Sequence, residues 1–240
     1  MSQGSRICGK RLHAAARYVR PGAVFADIGT DHAALPILLA SSGRIRRAYA
    51  CDVAPGPVAA ARQNIAAAGL SDSIETRMCD GFAGLDGLGI TDAAVCGMGG
   101  ELIASLITGP EAQFLRRDRV RLVLQPMSRA AELRAVLAKE GFLCLDECLI
   151  CEAGRLYELI CAEYTGEQSN PTALELQLGT ANLRRAAPEL ILLCRRRIYH
   201  LTNLLAGQAG AMREETLNLL DALRRTEEET EKKNDSKRTV

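Results

Sequence analysis

Val24-Phe25-Ala26-Asp27-Ile28-Gly29-Thr30-Asp31-His32 is an apolar run that ends on a carboxylate and turns on a glycine. Ala33 to Ser41, which follows, reads as a helix. A strand, a tight turn and a helix in this order open a doubly wound α/β sheet, and they set the turn at the carboxyl edge of the strands. Gly29 lets the backbone there come close to a ligand. A pyrophosphate ligand calls for Gly-x-Gly-x-x-Gly, so that successive amides can face it. Only the first glycine is present; Asp31, His32 and Ala33 or Ala34 replace the rest. A carboxylate this near the turn repels a pyrophosphate and suits a cationic or zwitterionic ligand.

The rhythm repeats along the chain. Ile7 to Val19 reads as an amphipathic helix, with Arg11 and Arg17 off its apolar face and Pro21-Gly22 ending it. Ala48 to Asp52 is a second strand with an acidic end, about 25 residues after Asp27, where such a unit places the acceptor of ribose hydroxyls. Gly56 to Ala68 is helical, and Ser73 to Cys79 is a third strand, followed by Asp80-Gly81. Ala93 to Cys96 runs into Gly97-Met98-Gly99-Gly100, with a short helix over Leu102 to Ile107. Leu122 to Leu124 runs into Gln125-Pro126-Met127, and Ala130 to Lys139 is helical. Phe142 to Cys151 and Leu156 to Tyr164 are joined only by Glu152 to Arg155, too short for a helical crossover, so they form an antiparallel hairpin. The fold class is therefore α/β, a Rossmann-like seven-stranded mixed sheet over residues 1–165. Dehydrogenase sheets typically stay parallel. The hairpin and the Asp-x-Gly opening move the weight from NAD to S-adenosylmethionine (SAM).

Pro171 marks a boundary. Leucines recur at helical spacing from Thr172 to Leu205, as one helix kinked at Pro188, and Met212 to Thr230 is a second helix. Two helices joined by a short loop give a C-terminal α-helical antiparallel hairpin over 171–231, with coiled-coil character. Residues 232–240 are expected to be a frayed polar tail. Arg184, Arg185, Arg195, Arg196 and Arg197 make the first arm basic. They either form a solvated face paired to Glu214, Glu215 and Glu227 to Glu229, or contact RNA phosphate.

Composition narrows the classes. The chain has 240 residues, a net charge of +1, no Trp and 4% aromatic residues, which disfavours a base-stacking single-strand platform. No segment reaches the ~18 apolar residues of a membrane span and none has signal-peptide character, so a cytoplasmic protein is expected, without membrane contact. The nine cysteines read as buried thiols. Cys148 and Cys151 are spaced as C-x-x-C but lie in a strand and point to opposite faces, so no metal is expected. Of the three histidines only His32 falls at the predicted site.

Asp27-Ile28-Gly29-Thr30-Asp31-His32-Ala33, Leu35-Pro36, Asp52, Gly56-Pro57, Asp80-Gly81, Gly97-Met98-Gly99-Gly100, Gln125-Pro126-Met127 and Tyr157-Glu158 together resemble the bacterial tRNA adenine-22 N1-methyltransferase family (TrmK). The resemblance runs from about residue 6 to about residue 164; Ala34 departs from it, standing where the family often has tyrosine. It implies SAM-dependent methylation of N1 of an adenine in the D-arm of tRNA, by a chain expected to act as a monomer. Enzymes that methylate exocyclic amines commonly carry Asn/Asp-Pro-Pro-Tyr after the fourth strand. Gly97-Met98-Gly99-Gly100 occupies that place, in keeping with a ring-nitrogen target. The implied roles are Asp27, Gly29, Asp31 and His32 around the methionine part of SAM, Asp52 on the ribose, and Asp80 and Gly81 at the adenine. Gly97 to Gly100 (Met98 and Gly99 foremost) and Gln125 would border the target base. Arg11, Arg17, Arg184, Arg195, Arg196 and Arg197 are the expected RNA contacts. Methylation of another RNA base, a NAD-dependent oxidoreductase and a non-catalytic RNA-binding scaffold are the competing readings.

Overall fold

The structure, a computed structural model, describes residues 9–238. The expected start of the first helix at Ile7 lies outside them. β1 (Ala23–Ile28) is buried along its whole length. A central parallel strand is covered on both faces, which is why its sequence is nearly all apolar. β2 (Ile45–Asp52) and β4 (Asp92–Gly99) flank it in parallel, β3 (Ile74–Met78) lies beyond β2, and β5 (Arg121–Ser128) lies beyond β4. β7 (Arg155–Tyr164) runs antiparallel to β5, and β6 (Phe142–Glu152) antiparallel to β7. The sheet has seven strands in the order β3-β2-β1-β4-β5-β7-β6. The order reverses between β1 and β4, so a crevice opens beyond their carboxyl ends.

α1 (Lys10–Tyr18), α2 (Ala34–Ser41) and α3 (Pro55–Ala67) cover one face, packing Ala15, Leu39 and Ile65 against Phe25, Ala50 and Val123. α4 (Gly100–Thr108), α5 (Gln113–Arg117) and α6 (Ala130–Lys139) cover the other, with Ile103, Phe114 and Leu137 against Ala26, Val95 and Leu122. Two boundaries differ from expectation in a way that matters for the site. α2 begins at Ala34, because His32 and Ala33 both hold left-handed backbone, at φ 60° and 54°. β4 does not stop at Cys96. It continues through Gly97-Met98-Gly99 with two register shifts against β5, and the helix starts at Gly100. The glycine-rich segment is a bulged strand end, a device common beside active sites.

The C-terminal arm expected as one kinked helix is three: α7 (Ala173–Leu178), α8 (Thr180–Arg185) and α9 (Glu189–Leu204). Thr172 and Glu175 form a capping box that starts α7. Gly179, at φ +84°, breaks the chain where a Cβ would strike the Glu147 carboxylate, and Ala186, at φ +45°, breaks it again before Pro188. α10 (Gly210–Arg238) returns along α9. It stays helical past Lys232, where a frayed tail was expected, and Asn234 Nδ2 ties it to the Ala186 carbonyl at 3.4 Å. Leu190, Leu193, Leu220 and Leu223 of the hairpin share a core with Leu149 of β6, so the helices are seated on the sheet edge. Among the described residues no helix is long and apolar enough to cross a membrane.

A buried charge network fastens that seat. Arg134 of α6, 6% exposed, lies 2.7 Å from Glu147 of β6 and 3.0 Å from Glu158 of β7. Glu158 also takes Arg196 at 2.6 Å and Arg197 at 2.8 Å, both from α9. Burial works against the Glu158 charge, yet Arg134, Arg197 and Arg196 hold its carboxyl below the ordinary range. Arg195 pairs with Glu227 and Glu231 of α10. Of the arginines expected to face RNA, Arg195, Arg196 and Arg197 are thus committed to carboxylates within the chain, and only Arg195 matches the solvated-face alternative.

Candidate active site

The crevice at the β1/β4 switch is a cleft of about 660 Å³. Asp27, Gly29, Asp31, His32 and Asp52 from the first two strand ends line it, joined by Gly97 and Met98 of the β4 bulge. Arg11 and Leu12 of α1, Ala34 and Leu35 of α2, Asn64 of α3 and Cys96 complete the lining.

Asp27 is 7% exposed and accepts a 2.7 Å hydrogen bond from Thr30 Oγ1. Burial pushes its carboxyl up to about 6, against the Thr30 bond and the Arg11 charge; the Asp52 charge adds to the rise. Gly29 has φ +72°, and a Cβ there would run into Cε of Met98, so the glycine makes the room in which Met98 covers the turn. His32 Nε2 lies 3.2 Å from Asp31 Oδ1 on the exposed rim. The strained His32-Ala33 pair is held from behind by Asn64 Nδ2, which donates to the His32 carbonyl at 3.1 Å. Asp52 Oδ1 accepts from the Ala54 amide at 2.8 Å, which fixes the carboxylate and leaves Oδ2 for a ligand hydroxyl.

Asp80, Gly81, Gly99, Gly100 and Gln125 stand apart from this lining. Asp80 and Gly81 follow β3 beside Asp52, whose carbonyl takes the Cys79 amide at 3.0 Å, but Asp80 is exposed and Gly81 is buried under Leu106. Gly99 packs at the start of α4 near Ser128. Gln125 is wholly buried; its Oε1 accepts from Arg11 Nη1 at 2.9 Å and its Nε2 donates to the Pro126 carbonyl at 3.1 Å. Arg11, expected on the RNA rim, instead forms a wall of the cleft, with its guanidinium 5.6 Å from the centroid of the Tyr157 ring. Arg17 and Arg184 are exposed, away from the cleft lining. Sequence reasoning passed over Asn64 and Cys96. Nothing marks a polar helix residue or a strand cysteine as a cleft residue until the strands are placed.

The model of the methyltransferase domain family matches residues 8–160. The tRNA (adenine(22)-N(1))-methyltransferase of Bacillus subtilis (strain 168) is 34% identical over 171 residues, 71% of each chain. The chain belongs to the tRNA (adenine-22-N1)-methyltransferase family. The crystal structure of the Bacillus subtilis m1A22 tRNA methyltransferase TrmK is similar at 27% identity and a TM-score of 0.76, over 94% of this chain and 97% of that one. A candidate tRNA (m1A22) methyltransferase from Streptococcus pneumoniae, in complex with S-adenosyl-L-methionine, is 30% identical with a TM-score of 0.82, over 92% of this chain and 100% of that one. For a member of this methyltransferase family the cleft chemistry is consistent. Asp27, Asp31 and Asp52 give the cleft an acidic lining, and Gly29 leaves the turn between them without a side chain. The same carboxylates disfavour the pyrophosphate of NAD.

Proposed function

We propose that this chain transfers the methyl group of SAM to N1 of adenine 22 in the D-arm of tRNA. The observation that carries the reading is the acidic crevice of Asp27, Asp31 and Asp52 at the β1/β4 switch, walled by Gly97 and Met98 where amino-methylating enzymes place a polar Pro-Pro-Tyr segment. SAM, when bound, supplies an electrophilic methyl group on sulfur. Neutral adenine N1 already carries a lone pair, so no strong base is needed, and the residues act by alignment and exclusion of water. Asp52 orients the ribose, Asp27 faces the cationic end of the donor, and Met98 packs over the Gly29 turn. N1 lies on the Watson–Crick edge, so the adenine must leave its stack. Pro126, Met127 and Tyr157 line a second cavity of about 640 Å³ at the same sheet edge. It adjoins the donor cleft through the Arg11–Tyr157 contact and supports entry of the base from the β5/β7 side.

For the RNA we propose contacts from Arg17 on α1 and Arg184 on α8, which project into solvent, with a lesser share from Arg195. We assign the enzyme to the cytoplasm, as a monomer that needs no metal. The test is transfer of labelled methyl from SAM to two transcripts of one tRNA, with adenine or guanine at position 22. Label should enter only the adenine transcript; equal labelling of both would move the target elsewhere.

A further inference from the structure

We propose that Arg11 is the receptor for the α-carboxylate of the methyl donor, a role that rests on the SAM reading above. Three carboxylates line the cleft, and Arg11 is the one guanidinium among the lining residues. The acidic groups suit the sulfonium, the ammonium and the ribose hydroxyls. They repel the α-carboxylate, which needs a cationic donor within hydrogen-bond reach. Arg11 stands beside Asp27, close enough for its charge to pull the Asp27 carboxyl down against burial. The two residues therefore present opposite charges to the ammonium and the carboxylate of one zwitterionic amino acid.

The guanidinium is held for this task from two sides. Gln125, wholly buried, has its Nε2 bonded to the Pro126 carbonyl and so turns Oε1 to Arg11 Nη1 at 2.9 Å. Tyr157 of β7 supports the guanidinium at 5.6 Å. The bond to Gln125 occupies one of five N–H donors. A planar fork fixed in this way can take a carboxylate in two parallel bonds with little further loss of freedom. The buried Gln125, which does not reach the cleft itself, gains a function as the residue that positions Arg11.

Calorimetry on the full chain at pH 8 tests this with two ligands that differ only in the carboxylate: S-adenosylhomocysteine and its decarboxylated form, S-adenosyl-3-thiopropylamine. The wild-type chain should prefer the first by about 10- to 150-fold, the range for a lost charged hydrogen bond. Arg11→Gln should weaken the first ligand by that factor and change the second by no more than about threefold, which abolishes the preference. Arg11→Lys should keep part of it. Equal weakening of both ligands, or a preference that survives Arg11→Gln, would overturn the proposal. So would equal affinity of the wild-type chain for both ligands, a result that needs no variant to fold. Failure of the wild-type chain to bind either ligand would remove the SAM reading itself.

Discussion

Asp27 is buried beside Arg11 and titrates near 6, so its charge state should govern donor binding. A cationic donor favours the carboxylate, and SAM affinity should fall as pH drops through about 6, by up to about tenfold per unit below it. Asp27→Asn should flatten that profile and weaken binding at pH 8, as read by calorimetry. Without ligand the sign reverses. The folded carboxyl titrates at about 6 against an ordinary 3.8, so the folded state holds the extra proton in that window and stability falls as pH rises through it. Asp27→Asn should therefore raise the ligand-free melting temperature at pH 8, with at most about 3 kcal/mol involved. A lowered melting temperature would mean that the Thr30 bond outweighs burial. Asp52→Ala should cost about 1.5–3 kcal/mol of SAM binding per charged hydrogen bond lost. Unchanged affinity would remove Asp52 from the site. Asp27, Gly29, Asp31, His32 and Asp52 were legible because a doubly wound sheet brings successive strand ends to one edge. Arg11 and Asn64 were not, since they arrive from helices that only the packed fold places. Gln125 was placed beside the target base from its strand-end position; in the fold it is wholly buried and bonded to Arg11.

The elements carry a second set of constraints. At Gly100 an added Cβ would meet the Arg129 carbonyl oxygen, a backbone atom that cannot step aside. Gly100→Ala should cost on the order of 1–3 kcal/mol in denaturant melts and disturb the junction of β4 with α4. Gly97 has open space around its missing Cβ but sits at φ +81°, so Gly97→Ala should cost only backbone strain, about 1–2 kcal/mol. A larger loss at Gly97 than at Gly100 would show that the bulge is assigned to the wrong residue. Glu158→Ala leaves Arg197 without its carboxylate and Arg134 with Glu147 alone, and should destabilise by about 3–5 kcal/mol. The sheet order was readable from strand-helix alternation and the four-residue link of the last hairpin. The breaks at Gly179 and Ala186 were not, because Gly179 answers to Glu147, a contact more than thirty residues away in sequence.

At the scale of the whole molecule, the sequence suggests a SAM domain complete by residue 165 and a basic hairpin that grips RNA. Packing argues for closer union. Leu149 shares a core with the hairpin leucines, and Glu158 draws Arg196 and Arg197 onto β7. A chain ending near Gln168 would expose that apolar face and should aggregate or melt well below the full-length protein. Independent folding with full SAM affinity would instead favour two separable units. Changing Arg195, Arg196 and Arg197 together to Gln should for the same reason lower stability before it reports on RNA. Arg17→Gln with Arg184→Gln is the cleaner probe, and it should flatten the salt dependence of tRNA binding by up to about 0.9 per lost duplex-phosphate contact. The most direct measurement is of the product. Full-length protein incubated with SAM and unmodified tRNA should yield 1-methyladenosine on nucleoside mass spectrometry. Only N6-methyladenosine, with alkaline rearrangement excluded, or no methylated adenosine from a folded, SAM-binding sample, would contradict adenine-N1 methylation by this cleft.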